Sequence, residues 1–91
     1  MSNTAEELER ILLGWDYLGT EMVTAPYLTQ SQFDRLVREF GPKMVLAGLR
    51  KYQQSCMRMA YDKTMSKPDQ QRYGREVEKL QKRIDTLKHF V

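Results

Sequence analysis

The sequence predicts an all-α fold: a long antiparallel helical hairpin with two shorter N-terminal helices packed on it. Three observations carry that expectation. Apolar residues recur three or four positions apart through most of the chain, capping-type residues precede the periodic runs, and the short breaks "FGP" and "SKPD" are the main interruptions of the second half. Side chains three or four apart share one face of a helix, whereas a half-buried strand alternates at every second residue.

Thr4-Ala-Glu-Glu7 fits a capping box, in which hydroxyl and carboxylate satisfy backbone donors that the first turn leaves open. Leu8, Ile11, Leu12, Trp15 and Leu18 follow at helical spacing, predicting a first helix from Ala5 to Leu18, with Gly19 and Thr20 as its exit. "EMVTAPYL" reads as a loop with at most one helical turn, because Pro26 pushes Ala25 out of the helical region. Thr29-Gln-Ser-Gln32 is a second start, and Phe33, Leu36, Val37 and Phe40 form one apolar face that ends at Gly41. Pro42 then sits where proline is best tolerated, in the first turn of a new helix.

Two heptad-like seams follow. Val45, Leu49, Tyr52, Cys56 and Met59 line a helix over 42–65, and Tyr73, Val77, Leu80, Ile84, Leu87 and Val91 line another over 68–91. Each is roughly 36 Å long at about 1.5 Å per residue, and a short link makes such neighbours antiparallel. Residues 1–91 are therefore read as a single helical domain. The second seam also suits a coiled coil between chains, with Val77 and Ile84 at position a and Leu80 and Leu87 at d. Arg83 and Lys88 would set like charges across a parallel pair, so Tyr73, Val77, Leu80, Ile84 and Leu87 are both hairpin residues and a candidate oligomer seam.

Hydrophobic residues make up 41% and charged residues 30% of the 91, which is globular rather than disordered. A chain this short buries only about 60% of its unfolded surface, so added area from a homo-oligomer is expected. The formal charge of +3 hides an asymmetry: residues 1–41 carry three Arg against seven acids, and residues 42–91 carry twelve Lys or Arg against five. Opposite halves attract within one molecule or between two, and a basic face favours polyanions. No apolar run approaches the ~20 residues that span a bilayer, and "MSNTAEELER" lacks the basic and apolar regions of a signal peptide. With one cysteine besides, the protein is expected to be cytoplasmic.

Catalytic, metal and cofactor chemistry are not expected. Cys56, Met57 and Met59 are soft donors, but Met57 points about 100° away from Cys56 and no second cysteine or nearby histidine completes a shell. His89 suits a solvated helix end, and no nucleophile elbow or phosphate-cradling glycine loop is present. What remains is recognition. Trp15, Tyr17, Met22 and Tyr27 gather the side chains that most often anchor a protein partner, although part of this segment must cover the hairpin. Arg72, Arg75, Lys79 and Lys82 form a stripe opposite the apolar seam, suited to phosphates, and Arg50, Lys51 and Arg58 add charge on the preceding helix. A helix-turn-helix over Phe33 to Lys51 fits less well, since Pro42 takes a usually apolar turn position and Arg50 a usually buried one. The expected function is a non-enzymatic interaction module: a small regulator, adaptor or inhibitor of the kind viruses and mobile elements encode, acting as an oligomer on a macromolecular partner. The alternative is a nucleic-acid-binding protein that uses the basic stripe.

Overall fold

The structure is a computed structural model that describes residues 4–90. Four helices dominate: α1 (Ala5–Leu12), α2 (Gln30–Phe40), α3 (Pro42–Ala60) and α4 (Lys67–Lys88). Between α1 and α2 lie an antiparallel ribbon, β1 (Tyr17–Leu18) and β2 (Glu21–Met22), and a 3-10 turn, Ala25–Tyr27. The chain is therefore mostly helical, not strictly all-α.

The ribbon corrects the expected helix from Ala5 to Leu18. The Thr4 hydroxyl does accept the Glu7 amide, but the helix stops at Leu12. Gly14 takes φ +80°, its amide donates to the Ile11 carbonyl, and the Trp15 amide donates to the Arg10 carbonyl. That bond pair is the Schellman stop, which needs a left-handed residue that glycine supplies at little cost. Past it, Tyr17 pairs with Met22 and Leu18 with Glu21 around the two-residue turn Gly19-Thr20, with Gly19 at φ +64°. Glycine in the first turn position matches the right-handed twist of the flanking strands. Leu18 is buried in the core, while Tyr17 and Met22 face solvent.

Thr29 and Gln32 form the capping box that opens α2, and Gly41 at φ +86° makes the corner into Pro42 and α3. α3 and α4 form the helical hairpin. Gln53 donates to the Val77 carbonyl at 3.1 Å and to Gln81 at 2.9 Å, Cys56 donates to Glu76 at 3.7 Å, and Gln70 donates to the Asp62 carbonyl. Partners descend along α4 as they ascend along α3, so the two helices are antiparallel. Both hairpin helices end earlier than expected, while α3 starts at the expected residue and α4 one residue sooner. α3 closes at Ala60, and 61–66 form a loop braced by Asp62, whose carboxylate accepts the Thr64 amide at 2.9 Å and hydroxyl at 2.6 Å. Ser66 caps α4, which ends at Lys88; Val91 lies outside the described residues.

The seams meet as a core. Val45, Leu49, Cys56, Leu80, Ile84 and Leu87 are buried against Leu8, Leu12, Leu18, Leu36 and Phe40. Met59, expected on the seam, is instead exposed, one residue before α3 ends. Arg83 ties the N-terminal half to α4: it donates to Gln30 at 2.7 Å and to the Leu28 carbonyl at 3.1 Å, with its guanidinium 4.8 Å from the centre of the Phe33 ring.

Candidate functional site

The expected partner-binding residues share one short stretch. Trp15 is 74% exposed, Tyr17 59%, Tyr27 55% and Met22 50%. The Schellman stop turns Trp15 out beside α1, where it lines a shallow groove with Leu13, Glu6, Glu9 and Arg10. Tyr17 and Met22 are cross-strand partners and therefore share one ribbon face. Asp16, whose carboxylate accepts the Tyr17 amide at 2.8 Å, and Glu21 add negative charge to this knuckle. Large side chains left in water on a hydrogen-bonded turn and ribbon are of the kind that anchor protein interfaces.

Tyr27 differs from the other three. Its hydroxyl donates to Glu76 at 3.2 Å, and Lys79 sits 4.7 Å from its ring centre. Glu76 is buried, accepting from Tyr27 on one oxygen and from the Cys56 thiol on the other. Burial first, and then the neighbouring Glu76 carboxylate, push the Cys56 thiol up to about 12. Burial, Cys56 and Glu76 push Tyr52 up to about 12, and partial burial with Glu76 raises Tyr27. Cys56 thus stays protonated at neutral pH, a hydrogen-bond donor rather than the thiolate that nucleophilic or metal chemistry requires. Among the described residues no group of three or more His, Cys, Asp or Glu gathers as a metal site.

The basic residues are exposed but not equally available. Arg72, Arg75, Lys79 and Lys82 run along the outer face of α4, where Lys79 is engaged by Tyr27 and Arg72 lies 4.9 Å from the Tyr73 ring centre. Ion pairs among the described residues are Arg35–Glu39, Lys51–Glu9 and Lys88–Asp85, which leave this stripe out. Lys51 reaches Glu9 at 3.1 Å, so one residue of the α3 group meets an acid of the N-terminal half; Arg50 and Arg58 point to solvent. Of the candidate oligomer seam, Leu80, Ile84 and Leu87 are sealed inside this chain and Tyr73 and Val77 pack against the same core. Those five side chains serve the hairpin.

Sequence reasoning missed a second apolar surface. Met57 and Ala60 of α3, Tyr61 just past its end, and Gly74, Arg75 and Val77 of α4 line a groove of about 490 Å³ near the hairpin loop. Its only sequence signal is Gly74, a glycine in the middle of a strong helical pattern. No helix among the described residues is long and apolar enough to cross a membrane. Comparison with protein-family models, with curated proteins and with solved structures finds no match in any of the three.

Proposed function

We propose that the protein is a non-enzymatic protein-interaction module, a small cytoplasmic regulator, adaptor or inhibitor that acts on a macromolecular partner through the Trp15–Tyr17–Met22 knuckle. The observation that supports this reading is the exposure of those three side chains on a capped turn and a paired ribbon whose other face is anchored by buried Leu18. A tethered aromatic surface beside acidic residues suits a protein with an apolar site and a basic rim. Affinity capture from the native cell or its host tests it. Wild type is expected to retain a protein with or without nuclease, and Trp15→Ala with Tyr17→Ala to release it while keeping the same melting temperature. Identical capture by the double variant refutes the reading.

A second reading, nucleic-acid binding, is favoured by the exposed α4 stripe, since Arg75 and Lys82 carry neither an ion pair nor a ring contact among the described residues. Phosphate contacts of this kind weaken steeply with salt. Binding to DNA or RNA is expected to fall between low and physiological salt and to weaken evenly with Arg75→Ala and Lys82→Ala; no retention at low salt refutes it.

A further inference from the structure

We infer that the loop end of the α3–α4 hairpin takes single-stranded nucleic acid, with an unpaired base on the Tyr61 ring and basic side chains on the flanking phosphates. The site rests on the nucleic-acid reading of α4 and extends it across the hairpin loop to α3. Charge is concentrated at this end. Residues 57–75 carry Arg58, Lys63, Lys67, Arg72 and Arg75 against Asp62 and Asp69, whereas the rest of the chain carries ten Lys or Arg against ten acids. The whole formal charge of +3 therefore belongs to the last turn of α3, the loop and the first turns of α4. All five basic side chains are exposed, and none forms an ion pair among the described residues. Asp62 is turned back onto Thr64, and Glu76, the next acid along α4, is buried and bonded to Tyr27 and Cys56. Glu78, one turn past Arg75 and away from the loop, offsets one of the five and leaves the end basic.

Tyr61 supplies what a row of cations lacks, a flat surface for a base. At 80% it is the most exposed of the large apolar and aromatic side chains described. Its hydroxyl makes no hydrogen bond and its ring no cation contact among the described residues, so the fold itself leaves the side chain unused. The backbone beneath it is held, because its amide donates to the Met57 carbonyl at 3.2 Å. Arg58 stands three residues before it, a neighbour on the surface of the closing turn, and Arg75 meets it across the groove between the helices. Proteins that hold single strands combine these two parts: cations follow the backbone, and aromatic faces stack the bases with little regard to sequence. In a duplex each base face is already covered by the next pair. A duplex would use the cations and leave the ring idle.

The test is fluorescence anisotropy of labelled oligothymidylate and oligouridylate, each about 10 nucleotides long, beside a DNA duplex of the same length, at low and physiological salt. Wild type is expected to bind the single strands more tightly than the duplex, with affinity falling as salt rises. Tyr61→Ala is expected to lose about tenfold on the single strands and nothing on the duplex, while Tyr61→Phe, which keeps the ring, stays within about twofold of wild type. Arg58→Ala and Lys63→Ala are expected to flatten the salt dependence of strand binding. All three positions are exposed, so an unchanged helical spectrum is expected of each variant. The tighter of the two strands names DNA or RNA as the source. A duplex bound as tightly as a single strand overturns the inference, as does Tyr61→Ala binding strands like wild type; if Arg75→Ala still weakens binding, the phosphate reading of α4 stands without it. Failure to retain any strand or duplex at low salt overturns both. Capture by phosphatidylserine vesicles with no strand retained also overturns both and assigns the basic end to a membrane surface.

Discussion

Raising the pH from 8 to 10 is expected to destabilise the protein through one thiol. Cys56 is 3% exposed and donates to a buried carboxylate, and folding lifts it from 9.0 to about 12. The folded chain therefore keeps a proton that the unfolded chain releases. The stability tied to that proton is complete below pH 9 and is lost as the pH climbs toward 12. At about 1.4 kcal/mol per pH unit, the loss by pH 10 is about 1.4 kcal/mol. For a chain of this size that lowers the melting temperature by about 5–10 °C. Tyr52 adds to the loss only from about pH 10, where its unfolded form begins to ionise. The assay is thermal unfolding followed by circular dichroism at pH 8, 9 and 10 for wild type and Cys56→Ala. The variant removes the thiol together with its push on Tyr52, so the difference between the two curves is read up to pH 10, where the thiol is the main contributor. Wild type and variant falling by the same number of degrees between pH 8 and pH 10 would refute the reasoning.

Three further outcomes concern stability, each measured by thermal or urea unfolding. Tyr27→Phe removes one of two donors to buried Glu76 and is expected to cost about 1–2 kcal/mol; no change would mean that water replaces the hydroxyl. Thr29→Ala opens the capping box of α2 and is expected to cost about 1 kcal/mol, with Thr29→Ser recovering most of it. Gly14→Ala and Gly74→Ala are expected to have opposite signs. At Gly14 the +80° backbone and a Thr24 methyl 3.1 Å away cost about 1–2 kcal/mol, whereas at Gly74 open space lets helix propensity add about 0.5–1 kcal/mol.

The helices were legible because their signals are local. Thr29 with Gln32, Gly41 with Pro42 and the runs from Val45 and Tyr73 each act within a few residues, and α2, α3 and α4 follow from them. The ribbon was not legible, because Trp15 and Leu18 continue the spacing of Leu8 and Ile11 while Gly14 ends the helix beneath them. A glycine at a helix stop and a glycine within a helix look alike until the following chain finds a partner. Glu76 was missed for a different reason: a heptad reading counts only apolar positions, and this carboxylate is buried by donors 20 and 49 residues away. The candidate site was partly visible in the same way. Composition marked Trp15, Tyr17, Met22 and Tyr27, but only the fold separates three free side chains from one that reaches Glu76.

Glu76, Lys79 and Arg83 stand three and four positions apart on one ridge of α4; the first two hold Tyr27, by its hydroxyl and its ring, and Arg83 holds Leu28, Gln30 and Phe33. Fastenings set in line release together: once one lets go, the same small rotation strains the next. Opening of this stretch is then all-or-none rather than a progressive peeling from the ribbon. In amide hydrogen exchange, Leu28 and the buried turns of α2 would share one opening free energy. Arg83→Met would lower that common value for all of them, while amides near Leu49, within α3, kept theirs.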